Sequence, residues 1–508
     1  MMDQEGKAFK KQGGCLVYLS RRDFLVAGGA SWTAWQLGVG NLWGASAGEI
    51  LRLKGKARVQ VAFVRPDVDR YPLNWPGTSY DIKARQGDYT KVLSEAAKEL
   101  QVQLDIQAKP IADQKDMEAY IEEVNNKKPD GIILVSQCLS VPRKLNYWAL
   151  FQQYFKKQGE IPTVVFGPMG TSFLHDLQNT LKETKGKKAF IASTQDMEWL
   201  RSGLRMLNTI WQMKQSRICV IQGEEPGDVV LDTIGTTLHY VRFSRFSEEY
   251  QKVKESDEVR KMAKHYMKNA RKIVEPSEQD IIDAAKTYIV CRGIMEAEGC
   301  QGIAIDCLPH VEGRTAPPPC LAFSRLNDEG ITAACQADWP AAVSLRLCYL
   351  LLDRPGFMQN ITVNTVNNTL MGAHCTCPTL LAGAGGEPAP FALRNHSETD
   401  IGVAVQVLWP SGEPITIMKF DNPKWWAGKP KPNGEKLASS IVLGSGKVVC
   451  NIENPPSGGC RTSLEVKVDG VKDVRDMRAL HHQLFILGDH KQMFKAYCEL
   501  AGIEVCSV

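Results

Sequence analysis

The stretch "RVQVAFV" (58–64), followed by "YTKVLSEAAKEL" (89–100) and "VQLDIQ" (102–107), decides the fold class. The first and third runs are short and strand-like, while the second places its apolar residues on one face at helical spacing. The alternation continues: "DMEAYIEEVNN" (116–126) reads as a helix, "GIILVS" (131–136) as a strand, "YWALFQQYFKKQ" (147–158) as a helix and "PTVVFG" (162–167) as a strand. Strands and helices that alternate through short connections imply a parallel sheet covered on both faces. Such a sheet binds its ligands at the carboxyl ends of its strands. No G-x-G-x-x-G or Walker-type loop follows any of these strands, so a nucleotide is not implied.

A second round begins near 187 with "KAFIAST", a helix over roughly 195–214 and the strand "RICVIQG" (217–223). A charged helix across 246–269 follows, then "SEQDIIDAAKTYIVCRGIMEAEG" (277–299), which opens on Ser277 with Asp280 three residues later, an acidic variant of the capping box. "CQGIAIDC" (300–307) closes this round as a buried strand. After about 400 the character changes to alternating or β-branched runs such as "EPITIMKF" and "TSLEVKVDG", divided by Gly, Pro and Asn. These runs read as an antiparallel domain of small-barrel type. The expected architecture is α/β: two doubly wound parallel-sheet domains (48–170 and 171–355) and a C-terminal antiparallel β-rich, barrel-like domain (356–508).

The 508 residues exceed what one core usually holds, in keeping with several domains. With a net charge of only +4 and no long basic block interleaved with aromatics, nucleic acid is not an expected partner. At the N-terminus, "SRRDFLV" (20–26) precedes a weakly apolar run to about Trp43, and "ASA" (45–47) follows. That order resembles a twin-arginine export signal spanning 1–47, which implies delivery of a folded chain to the periplasm or another extracytoplasmic space, or a membrane tether if the signal is uncleaved. The fifteen cysteines show no C-x2-C pairs and read mostly as buried thiols, with Cys450 and Cys460 close enough in sequence to bridge after export.

The chemistry concentrates around "GAHCTCP" (372–378). On a strand His374 and Thr376 share one face and Cys375 and Cys377 the other, so a single metal cannot easily take the histidine together with both thiols. The larger segment "GITAACQADWPAAVSLRLCYLLLDRPGFMQNITVNTVNNTLMGAHCTCPTL" (330–380) resembles the corresponding part of the L-fucose isomerase and L-arabinose isomerase family, and "ALHHQLFILGD" (479–489) resembles that family's late His-His stretch. The resemblance implies two α/β domains followed by a β-rich one, an oligomer with sites between subunits, and aldose–ketose isomerisation assisted by a divalent metal such as manganese. It places His374 and His482 at the family's metal-binding histidines, with His481 as the alternative to His482. The family's acids fall on Gln336, Gln359 and Asn360. An amide still offers a carbonyl oxygen to a cation, but it carries no charge and accepts no proton near neutral pH.

Asp338 keeps a family aspartate and is a possible substitute base, although "DWPAAV" makes it the N-cap of a helix with Pro340 in the first turn. Asp306, Glu312, His310 and His396 read as turn or loop residues. Trp425 and Trp426 in "NPKWWAGKPKPNGEK" (422–436) suit stacking on a sugar ring, or equally tuck against the sheet. Two expectations follow. One is a small-sugar-binding protein that kept the isomerase scaffold without its usual activity; the other is an isomerase with an altered metal shell and a replacement base.

Overall fold

The computed structural model describes residues 47–70, 79–137, 147–421, 437–453, 459–477 and 480–508. The stretch expected to be an export signal, up to residue 46, and the Trp425–Trp426 loop lie outside the described residues. The first unit runs β1 (Arg58–Val64), α1 (Ile82–Glu99), β2 (Gln103–Ile106), α2 (Gln114–Lys127), β3 (Gly131–Ser136), α3 (Tyr147–Lys157), β4 (Thr163–Gly167), α4 (Leu174–Thr184) and β5 (Ala189–Ser193). Its strands are all parallel in the order β2-β1-β3-β4-β5, one of the common doubly wound arrangements. The period-two pattern shows directly in the packing. Val59, Val61 and Phe63 enter one core, and Ala62 and Val64 enter the core on the opposite face. Asp81 and Asp113 cap α1 and α2, each accepting a backbone N–H three residues on.

The second unit runs α5 (Glu198–Gln215), β6 (Arg217–Ile221), β7 (Gly227–Val230), β8 (Thr237–Val241), α6 (Arg245–Lys252), α7 (Asp257–Asn269), β9 (Lys272–Ile273), α8 (Glu278–Glu298), β10 (Gly302–Ile305), α9 (Leu308–Glu312), α10 (Cys320–Asp328), β11 (Thr332–Cys335) and α11 (Trp339–Leu352). Its sheet order is β11-β10-β6-β8-β7, parallel except for the antiparallel edge strand β7. The Ser277–Asp280 capping box is formed at the start of α8. The charged stretch expected as one helix is two, because Ser256 ends the break after Lys252 by capping α7.

The third unit contains β12 (Phe357–Asn364), β13 (Thr369–His374), β14 (Phe391–Arg394), β15 (Ala404–Val407), β16 (Pro414–Phe420), β17 (Ser440–Asn451), β18 (Thr462–Val468), β19 (Gln483–Leu487), α12 (Lys491–Ala501) and β20 (Glu504–Ser507). Strands β16-β19-β12-β13-β18-β17 are antiparallel neighbours, and β16 also pairs with β17, which closes a six-stranded barrel. The α/β architecture with a C-terminal barrel is thus the one expected. The first sheet does extend past residue 170, since β5 pairs with β4, and α12 returns from the barrel to pack on β5 and α5. Helix α11 packs against β16 and β19, joining the carboxyl edge of the second sheet to one side of the barrel. That junction holds the site.

Candidate functional site

The turn from β11 into α11 carries Gln336, Ala337 and Asp338. Gln336 and Ala337 both take positive φ, 53° and 51°, a left-handed pair that only a well-determined turn tolerates in non-glycine residues. Two backbone bonds hold it: Ala337 N–H donates to Ile305 O at 3.0 Å, and Asp338 N–H to Cys335 O at 3.1 Å. Asp338 then caps α11 as expected, its Oδ1 accepting from Ala341 N–H at 2.8 Å, with Pro340 in the first turn. Its other oxygen, Oδ2, meets Lys419 Nζ at 2.5 Å and His482 Nδ1 at 2.9 Å. Burial would raise the Asp338 carboxyl, but the Lys419 ammonium and His482 outweigh it and hold the group below its ordinary value.

Lys419 was not singled out by its sequence. It lies on β16 with its side chain 2% exposed, and its ammonium also donates to the backbone carbonyl of His481. Burial pulls its ionisation down and Asp338 pulls it back up. Within "PITIMKF" (414–420) Lys419 falls in register with Ile415 and Ile417, a cation at alternate spacing from two core isoleucines. That pattern was the available signal, and its partner is 81 residues away.

The histidines assemble around this pair. His482 and His374 are buried, with ring centroids 5.2 Å apart, and the exposed His481 lies 4.0 Å from the His482 ring. His481 Nε2 is 3.3 Å from Gln336 Oε1, so both members of the His481–His482 doublet take part. His374 is fixed by a 2.9 Å bond between its Nδ1 and Thr376 Oγ1. Burial first, and the His482 charge second, push the His374 imidazole down to about 3; burial likewise pushes His481 down to about 4. Both are neutral at physiological pH.

Gln359 completes the group. It pairs with Gln483, next to His482, and the β12–β13 register that sets Asn360 opposite Ala373 sets Gln359 opposite His374 when continued one step. Gln359 is fully buried, and neither side-chain polar atom has a protein hydrogen-bond partner; Asn360 Oδ1 is also buried without one. A Cβ at Gly372 would strike Gln359 Oε1 and the Phe485 ring, so glycine is what leaves room for this amide. The structure therefore gathers Gln336, Asp338, Gln359, His374 and His482 at one end of the barrel, with His481 beside them.

The donor set does not fit a hard divalent cation. Such ions favour carboxylate oxygens, and Asp338, the carboxylate that reaches the histidines, already serves a helix cap, an ammonium and an imidazole. Among the described residues no group of three or more His, Cys, Asp or Glu is arranged to hold a metal. The cysteines divide as their alternation suggests. Cys377 is buried with its Sγ 3.4 Å from Trp409 Nε1, and Cys375 packs with Cys320 and Cys460. Cys450 and Cys460 have separate neighbours, Glu465 at 3.7 Å and Ser397 at 3.8 Å, and are not bridged. His310 stacks on Phe243 at 3.8 Å and His396 bonds Thr399 Oγ1 at 3.0 Å. Comparison with models of known protein families finds no match, and no curated protein matches the chain.

Proposed function

We propose that this chain is an exported sugar-binding protein on an aldose–ketose isomerase scaffold, in which an internal ammonium replaces the family's metal centre. The observation that carries the reading is the buried Lys419–Asp338 ion pair at the point where Gln336, Gln359, His374 and His482 converge. Neutral imidazoles and amides offer both donors and acceptors, which suits the hydroxyls of an uncharged sugar. The buried amide of Gln359 supports it further, since such groups in folded proteins usually find a partner. The resemblance in 330–380 and 479–489 supplies the ligand class and an oligomeric assembly.

The test is calorimetric titration of the mature chain with a panel of aldoses and ketoses, with and without a chelator, alongside an NMR assay for interconversion. Sugar binding that survives chelation, without turnover, is the expected result. Metal-dependent turnover overturns it.

A second reading rests on the 2.9 Å Asp338–His482 contact, because a carboxylate that orients an imidazole is the usual support of a general base. Under that reading solvent deuterium enters a bound sugar at C1 or C2, and Asp338→Asn abolishes the exchange.

A further inference from the structure

Thirteen described cysteines are free, and several thiols lie beside one another, among them Cys307 and Cys335. Cys307 Sγ and Cys335 Sγ are 3.3 Å apart, both buried, at the carboxyl ends of the adjacent parallel strands β10 and β11. The register explains the juxtaposition. Ile305 pairs with Cys335, and Cys307 lies two residues past Ile305, where the chain turns from β10 into α9. Cys335 is also the last residue before the left-handed pair Gln336–Ala337, and Cys307 occupies the position just before α9 without a side-chain capping bond.

We propose that Cys307 and Cys335 form a reversible disulfide that fastens the site-bearing turn to the end of β10. The inference is independent of the sugar-binding reading, because it rests on the thiols alone. The oxidant is a hydroperoxide. One thiolate attacks the peroxide oxygen and becomes a sulfenic acid, with the peroxide leaving as water after protonation. The second thiol then displaces the sulfenic hydroxyl as a second water, so two thiols and one hydrogen peroxide give one disulfide and two waters. No large oxidant needs to enter, which matters because Cys307 is 1% and Cys335 6% exposed. The neighbouring Cys307 thiol and burial both hold the Cys335 thiol above its ordinary value, so the reaction accelerates as pH rises. A folded chain exported as its leader suggests would carry this pair, already in contact, into an oxidising space.

The experiment uses the full reduced chain, treated with hydrogen peroxide at several pH values, alkylated and mapped by mass spectrometry without reduction. The expected product is one linked peptide pair containing Cys307 and Cys335, lighter by two hydrogens than the separate peptides and restored by dithiothreitol. Its yield rises with pH, and both Cys307→Ser and Cys335→Ala abolish it. Hydrogen exchange at Gln336 and Ala337 slows severalfold on oxidation. A link among Cys320, Cys375 and Cys460 instead, or separate sulfinic acids at Cys307 and Cys335, overturns the assignment. A linked pair with unchanged exchange overturns the fastening role.

Discussion

Replacing Lys419 with methionine tests the centre of this site. The change keeps most of the side-chain volume and removes the ammonium from a pair whose side chains are 2% and 0% exposed. At 2.5 Å the direct attraction is about 6–7 kcal/mol at an effective dielectric of about 20, before desolvation is subtracted. Leaving one partner of a buried pair alone costs about 3–5 kcal/mol, because Asp338 would remain ionised without its counter-charge or be forced to take up a proton. Lys419→Met is therefore expected to lose about that much stability. Adding Asp338→Asn should return much of it: asparagine still caps α11 toward Ala341, and its amide still meets His482 when the imidazole takes the matching tautomer. Urea titrations of the four proteins, followed by far-UV circular dichroism and tryptophan fluorescence, give the coupling directly. The double variant should exceed the sum of the singles by about 2 kcal/mol or more. Additive single losses, or a Lys419→Met protein within about 0.5 kcal/mol of wild type, would refute the buried ion pair.

The histidine pocket makes a pH prediction. His374, held at about 3 and fully buried, takes up a proton in the unfolded chain near 6.5 but not in the fold, so stability is highest above 6.5 and falls as pH drops toward 3. Between pH 7 and pH 5 that one group costs about 2 kcal/mol, and His374→Gln should flatten the urea-midpoint curve over the same window; an unaltered slope in the variant counts against a buried neutral imidazole. Gly372→Ala should destabilise by about 1–3 kcal/mol and weaken sugar binding, because the added methyl displaces Gln359; normal affinity in a folded variant would remove Gln359 from the site. Gln336→Glu combined with Gln359→Glu should raise manganese affinity in calorimetry, more so with Lys419→Met added, and no gain would show that these side chains do not share a ligand.

Much of the fold was legible because buried parallel strands leave short apolar runs and the covering helices leave one-sided ones; β1 to β4 and α1 to α3 follow from this alone. The sheet to which a strand belongs does not show in its own residues. "KAFIAST" reads as a strand anywhere, and only its pairing with β4 assigns it to the first sheet. The β7–β8 hairpin was missed because Gly227–Val230 lies partly exposed at an edge, where burial does not write an apolar pattern. At the site, Asp338 as a helix cap was local chemistry and readable. Lys419 was not read, because a lysine on a strand is ordinarily an exposed residue and its partners arrive from 62 and 81 positions away. The Cys307–Cys335 contact is invisible for the same reason, since 28 residues and a helix pair separate them in the chain.

The charge arithmetic of the site constrains what it can hold. Asp338 contributes one negative charge; Lys419 supplies one positive charge, and the N-terminus of α11, whose Ala341 N–H donates to the same carboxylate, adds a positive dipole end. Asp421 adds a second carboxylate acting on the same ammonium. A bare dication placed among neutral His374, His482 beside it and the amides would add two further positive charges where burial costs several kcal/mol per ion. A neutral polyol adds none, and its hydroxyls can accept from and donate to the amides and imidazoles already there. The exchange of a metal for a lysine would also alter what a reaction could use: an ammonium offers hydrogen bonds and one charge, but it is already committed to Asp338 and His481. Under the proposed reading, sugar retention with loss of metal dependence is the coupled outcome to look for, and metal-requiring turnover by the unaltered chain would refute it.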